Sequence, residues 1–150
     1  MDPIQNEETE VLIVGTYPGA KSRELGEYYS DSRNQFWKLM SEVLDVNLKD
    51  MDYKTKTETL LKHKIGLWDT IKSCDIIGSS DRDIHNAVCN DFSQLGNVKK
   101  IVFNGKKACK YAEQCNVPEI VEVSVVPSSS TANAVVFSKK LEEWKEAFFK

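Results

Sequence analysis

Apolar residues gather in short runs at Glu10–Thr16, Gly66–Ile71, Lys100–Asn104 and Ile120–Val126, and each run stops at a polar or glycine-bearing turn. Runs this short, rich in Val, Ile and Leu, predict strands buried on both faces. Between them the apolar positions return at helical spacing, which predicts helices over Asn34–Leu44, Thr55–His63, Asp83–Leu95 and Lys106–Cys115. A last amphipathic helix is predicted over Ser138–Phe149, with Leu141, Trp144, Phe148 and Phe149 on one stripe and Ser138 as its N-cap. Strands alternating with helices of this length predict an α/β fold, a single domain with a mostly parallel central sheet flanked by helices on both faces. Residues 1–9 read as a flexible acidic amino terminus and residues 10–150 as the domain.

Parallel strands bring their carboxyl ends to one rim, where an open α/β sheet binds its ligand. Four punctuated ends meet there: Gly15-Thr16-Tyr17-Pro18-Gly19, Trp68-Asp69-Thr70, Asn104-Gly105, and Pro127-Ser128-Ser129-Ser130-Thr131-Ala132-Asn133. The first continues through an aromatic, polar segment into Arg33-Asn34-Gln35-Phe36-Trp37, adding guanidinium, amide and ring groups to the same edge.

Composition narrows the chemistry. A chain of 150 residues, 41% hydrophobic and 29% charged, is long enough to bury a real core. Its opening residues are acidic and polar, unlike a signal or transit peptide, and no apolar run approaches the roughly 20 residues that span a bilayer. The four cysteines, Cys74, Cys89, Cys109 and Cys115, form no CxxC pair, so neither a metal centre nor a disulfide framework is expected. Cys74 and Cys109 stand in apolar contexts and are expected as core thiols in a reducing, cytoplasmic compartment. A net charge of −3 argues against a large nonspecific nucleic-acid footprint. A compact basic patch is still available from Lys21, Arg23, Lys106, Lys107 and Lys110, lysines that would otherwise form a solvated face. His63 and His85 fall in predicted helices away from the rim, so no histidine-based triad or metal site is expected.

Gly15 to Ser22 approaches the phosphate loop GxxxxGK[ST], but Ala20 replaces its second glycine and the residues beyond break rather than build a helix. A P-loop-like nucleotide hydrolase is therefore an alternative reading, and a non-catalytic nucleotide-binding or nucleic-acid-binding module is another. As a nucleobase pocket the residues fit better. Gly15 and Gly19 let backbone N–H groups around Tyr17 and Gly19, on either side of Pro18, approach a ligand closely. Tyr28 and Tyr29 offer rings for stacking; the surroundings are too polar for both to be buried, and Tyr29 is the expected stacking ring. Asn34 is either a helix N-cap or an amide whose oxygen holds a water. Phe36 and Trp37 read as the core face of that helix. Asp69, the carboxylate set in an apolar strand, would meet N–H groups of a base edge or a neighbouring loop. Asn104 would bind substrate or cap the next helix. Ser128, Ser129 and Ser130 form a hydroxyl-rich turn suited to phosphates beside an extruded nucleotide.

The segments GTYPGAKSRELGEYYSDSRNQFW, IGLWDTIKSC, IVFNGKKA and PSSSTANA, with the terminal KLEEW, resemble the uracil-DNA glycosylase superfamily, and within it the hypoxanthine-DNA (deoxyinosine) glycosylases. The resemblance covers most of the chain from Val11 onward. It implies a monofunctional enzyme that excises deaminated bases, hypoxanthine foremost, from DNA, as a monomer without cofactor or metal. Gly15–Gly19 would then form the catalytic and base-binding loop, with Gly15 and Tyr17 in the catalytic set. Asn34 matches the family's catalytic amide, Tyr29 its stacking aromatic, and Ser128–Ser130 the loop that presses on the DNA backbone. Tyr17 stands where uracil enzymes carry Asp or Asn, and Val126 where many carry a histidine, so efficient uracil removal does not follow from the resemblance.

Overall fold

A computed structural model of the chain describes residues 1–76 and 84–149. Its centre is β1 (Val11–Gly15), flanked on one side by β2 (Ile65–Asp69) and on the other by β5 (Lys100–Asn104) and β6 (Glu122–Val126). All three pairings are parallel. Period-two alternation divides the core between the two faces of the sheet. Leu12, Val14, Ile101 and Phe103 pack with Phe92, Ala108 and Cys115 on one face. Ile13, Leu67, Val102 and Val126 pack with Phe36, Leu39, Leu60 and Trp144 on the other. The expected doubly covered parallel sheet is therefore present.

From β1 the chain leaves through α1 (Ala20–Leu25), α2 (Phe36–Leu44) and α3 (Tyr53–Lys62) to reach β2 on one side. From β5 it leaves through α4 (Lys106–Ala112) to β6 on the other side, before α5 (Phe137–Phe149) closes the fold. The direction of winding thus reverses between β1 and β5, and the crevice at their carboxyl ends is a topological switch point. Gly15 and Asn104 end those two strands.

Several elements differ from expectation. The apolar run at Gly66–Ile71 is two strands: β2 ends at Asp69, and β3 (Ile71–Ile76) turns away to pair antiparallel with β4 (Ile84–Cys89). The expected helix over Asp83–Leu95 is therefore a strand and a loop, with Asp83 itself outside the described residues. Ile84, Val88, Phe92 and Leu95 imitate a helical stripe, but Phe92 and Leu95 enter the core from the loop. Ile84 and Val88 serve the antiparallel ladder, where β-branched residues are at home. A short helix, α1, follows Gly19 where a break was expected, and Gly26 ends it at φ 68°. Helix α5 opens at Phe137, so Ser138 lies inside its first turn instead of capping it. Cys74 and Cys109 are half-buried, and Cys115 is the thiol in the core.

The amino terminus, expected as a flexible tail, is bonded into the domain. Ile4 exchanges two backbone hydrogen bonds of 2.9 Å with Leu67, and the Tyr28 hydroxyl donates to the Asp2 carbonyl at 2.8 Å. These few residues cover the open edge of β2, whose unpaired backbone would otherwise be exposed. No helix among the described residues is long and apolar enough to cross a membrane.

Candidate functional site

The rim is organised around the end of β1. Gly15 lies opposite Asp69 in the β1–β2 register, and its carbonyl accepts from both the backbone N–H (2.8 Å) and the hydroxyl (3.1 Å) of Thr70. The same hydroxyl reaches the Ala108 carbonyl at 2.9 Å, fastening the loop to α4. A Cβ on Gly15 would stand 2.8 Å from Asp69 Oδ1 and 3.1 Å from Tyr29 Oη. The missing side chain therefore lets a carboxylate and a phenol converge on the strand end, each approaching closer than a methyl group would permit.

Beyond Gly15, the Pro18 carbonyl accepts from Arg23 Nη1 at 2.9 Å, and the guanidinium lies 5.3 Å from the centre of the Tyr17 ring. The loop is thus clasped by the helix it leads into. Gly19, exposed, forms the N-terminal boundary of α1 with no side-chain cap. Ser22, where a phosphate loop would turn a hydroxyl to a metal ion, is buried with its Oγ 3.1 Å from Ser30 Oγ. The P-loop reading gains nothing from this geometry.

Tyr28 is buried and Tyr29 only partly so, as the polar surroundings imply. Tyr29 holds a left-handed backbone, φ 54°, an uncommon conformation for a bulky residue. Its ring lies 3.9 Å from Phe36 at 14° to parallel, so one face is backed by the core helix. Its hydroxyl accepts from Asn104 Nδ2 at 3.2 Å. Burial and then the nearby Asp69 charge push its phenol above the usual tyrosine range, so the group is protonated at neutral pH.

Asn104 caps no helix; both ends of its amide are turned inward. Its Nδ2 also donates to Ser129 Oγ at 2.9 Å, and its Oδ1 accepts the Ser129 N–H at 2.8 Å. Ser129 is buried by this clasp, whereas Ser128 and Ser130 on either side are half-exposed. Gly105, at φ 96°, passes so close to the turn that a Cβ there would sit 3.2 Å from Ser128 Cβ. The strand end at Asn104 and the serine turn are one packed unit.

Asn34 precedes α2, which begins at Phe36 rather than at Asn34 itself. Its Oδ1 accepts the Phe36 N–H at 2.9 Å, one residue ahead of the N-cap position, which Gln35 holds instead of Asn34. A carbonyl oxygen has a second lone pair, so the cap fixes the direction of the amide without exhausting it. The next residue joins this segment to the serine turn, since the Gln35 N–H donates to the Ser129 carbonyl at 2.9 Å. Phe36 and Trp37 face the core as expected.

Among the expected site residues, Gly15, Tyr29, Asp69, Asn104 and Ser129 form one connected cluster. Asn34 joins it through Gln35, while Tyr17, Pro18 and Gly19 flank it. Lys21 and Arg23 are exposed on α1, and Lys106 and Lys110 on α4. Thr70, Gln35, Lys140 and Trp144 take part without having been singled out for it. Trp144 Nε1 donates to the Pro127 carbonyl at 2.9 Å, and Lys140 Nζ reaches the Ser130 carbonyl at 3.1 Å. A lysine four residues before Trp144, on a stripe of otherwise apolar side chains, was the available signal. Thr70 was visible only as the last residue of the polar strand end Trp68-Asp69-Thr70.

The family model for the uracil DNA glycosylase superfamily matches residues 3–150 of this chain. A Methanosarcina acetivorans protein named hypoxanthine DNA glycosylase is 38% identical over an alignment 149 positions long that covers 97% of this chain and 94% of that protein. A protein of the same name from Methanosarcina barkeri is 35% identical over an alignment 150 positions long that covers 97% of this chain and 94% of the relative. The solution NMR structure of a Methanosarcina acetivorans protein assigned to the uracil DNA glycosylases superposes with a TM-score of 0.87 at 36% identity. That match spans 99% of this chain and 94% of the other.

Proposed function

The chain belongs to the uracil DNA glycosylase superfamily, and from that premise we propose that it is a monofunctional DNA glycosylase that excises deaminated bases, chiefly hypoxanthine, as a cytoplasmic monomer. The observation that carries this reading is the convergence of Asp69 and Tyr29 on the side-chain-free Gly15 at the switch point. A base in a duplex is out of reach, so the nucleotide is extruded, at a lower cost where hypoxanthine is mispaired. The base would stack on the face of Tyr29 opposite Phe36 and offer its N–H edge to Asp69. Breaking the glycosidic bond leaves negative charge on the base and positive charge on the sugar. Backbone amides of Tyr17–Gly19 would stabilise the departing base, and preorganised donors of this kind are commonly the largest catalytic term.

Water then attacks the sugar. An amide cannot serve as a strong base, so Asn34 would hold and orient the water with the lone pair its cap leaves over. Ser128 and Ser130 would meet the flanking phosphates while buried Ser129 anchors the turn. Lys140 lies under that turn, fully buried and with its Nζ engaged, so it is not available to form a Schiff base. The reading is accordingly hydrolysis without strand cleavage.

The test uses labelled duplexes carrying a single hypoxanthine, uracil or xanthine, incubated in EDTA with wild type and with Asn34→Ala and then treated with alkali. Alkali-dependent cleavage at hypoxanthine, strongly reduced in Asn34→Ala, is the expected result. Cleavage only at uracil would move the substrate within the superfamily. A wild-type protein that leaves all three bases in place would overturn the proposal.

A further inference from the structure

Helix α5 buries one ammonium group completely. Lys140 has no exposed surface and ranks among the largest fully buried side chains. Its Nζ donates to Gln35 Oε1 at 2.9 Å and to the Ser130 carbonyl at 3.1 Å. Both acceptors are neutral. Burying a cation against neutral acceptors is costly, and desolvation lowers the pKa of this lysine. A helix stripe that served packing alone would be filled more cheaply by Leu or Met.

The two acceptors lie on the two segments that must act together on the sugar. Gln35 directly follows Asn34, and its own N–H donates to the Ser129 carbonyl. Ser130 closes the turn whose other end, Pro127, is held by Trp144 one helical turn along α5. Gln35, the serine turn and α5 are therefore tied three ways. Lys140 is the member that bonds to both of the others through one atom.

We propose that Lys140 is a positioning residue, its buried ammonium holding Asn34–Gln35 and Ser128–Ser130 in one register so that the water-orienting amide and the DNA-gripping turn meet the same nucleotide. This inference rests on the glycosylase reading. Lys140 touches neither base nor water; it acts through Gln35 and Ser130. Its removal should therefore slow bond breaking more than it weakens DNA binding.

The experiment compares wild type with Lys140→Met, an unbranched side chain one atom shorter that has no donors, and with Lys139→Met at an exposed neighbouring position. Single-turnover excision of hypoxanthine and the Kd for the same duplex are measured beside thermal melting. In folded Lys140→Met the excision rate should fall by about ten- to a hundred-fold, the scale of a small misplacement near the reacting atoms. Its Kd should stay within about three-fold of wild type, the split that separates chemistry from binding. Lys139→Met should match wild type in both.

A folded Lys140→Met with an unchanged rate would overturn the proposal, as would a rate and a Kd that worsen in step. Should Lys140→Met fail to fold, Gln35 supplies the same test from the other end of the bond. Its side chain makes no capping bond to α2, so changing it spares the helix. Gln35→Glu keeps an acceptor for the ammonium and should retain the rate, whereas Gln35→Leu should lose it; equal rates in the two would overturn the role. Failure of wild type to release hypoxanthine would instead remove the glycosylase reading, and it is seen before any variant is compared.

Discussion

Gly15 and Asp69 are register partners at the carboxyl ends of β1 and β2, and a Cβ at position 15 would lie 2.8 Å from Asp69 Oδ1. The same Cβ would crowd the Tyr29 hydroxyl. Glycine here is a matter of space: the backbone is an ordinary strand, and two polar side chains occupy what would be the methyl's place. Gly15→Ala should displace Asp69 or Tyr29, at a stability cost of about 1–3 kcal/mol, as for an overpacked core. Hypoxanthine excision should fall by at least about ten-fold, because the displaced groups are those that would face the base. Thermal melting and single-turnover kinetics check the two parts separately. Wild-type kinetics in Gly15→Ala would mean that the base lies elsewhere.

Asn104 makes a second prediction through Ser129. The amide satisfies the buried N–H and Oγ of Ser129 together, so Asn104→Leu would strand both. Leaving a buried polar group unpaired costs about 1–3 kcal/mol. The serine turn would also lose its anchor to the end of β5. We expect Asn104→Leu to destabilise the protein by about that amount and to weaken binding to hypoxanthine duplexes, read by urea melts and fluorescence anisotropy. Asn104→Asp should retain the bond from the Ser129 N–H and suffer less.

Much of this arrangement was legible in the chain because it depends on periodicity and punctuation. The four strands of the parallel sheet are short apolar runs ending in polar turns, and the rim residues Gly15, Asp69, Asn104 and Ser128–Ser130 are those turns. The antiparallel pair β3–β4 was not legible. The spacing of Ile84, Val88, Phe92 and Leu95 fits a helix as well as a strand followed by a loop, and only tertiary pairing with Ile71–Ile76 decides between them. The inward use of Asn104 was equally hidden, since an Asn before Gly and a helix reads as a cap. Its true partner lies 25 residues away. Lys140 was passed over because lysines on helices are expected at the surface.

Asn34 carries two roles that one substitution can separate. Its Oδ1 satisfies the first N–H of α2, that of Phe36, in the manner of a cap from just before the Gln35 N-cap, and the remaining lone pair is assigned to the water. Asn34→Ala removes both, so it should lose about 1 kcal/mol of stability together with most of the activity. Asn34→Asp keeps the cap and places negative charge at a helix start, where it is favourable by about 0.3–1 kcal/mol. We therefore expect Asn34→Asp to melt at or above the wild-type temperature. Its excision rate should lie between those of wild type and Asn34→Ala, since an acceptor remains but the amide does not. An alanine variant as stable as wild type would show that the cap contributes nothing measurable.

Tyr29 links the site to alkaline stability. Its ring is backed by Phe36 on one face, and its hydroxyl, bonded to Asn104 and close to Asp69, titrates above the ordinary phenol range. Tyr28 is shifted in the same direction, chiefly by burial. An unfolded tyrosine titrates near pH 10, so above that pH the unfolded chain has lost protons that the native chain keeps. The contribution of these phenols to stability is fully present below about pH 10 and declines as pH rises towards their folded-state values. Tyr29→Phe should make that decline shallower, measured as urea midpoints at pH 8, 10 and 11, and should retain the stacking ring and most of the excision activity. Tyr29→Ala removes the ring itself. Stacking on an aromatic is worth about 1–3 kcal/mol per base, so the alanine variant should bind a hypoxanthine duplex about five- to 150-fold more weakly. A Tyr29→Ala protein that binds hypoxanthine duplexes as tightly as Tyr29→Phe would place the base on another surface.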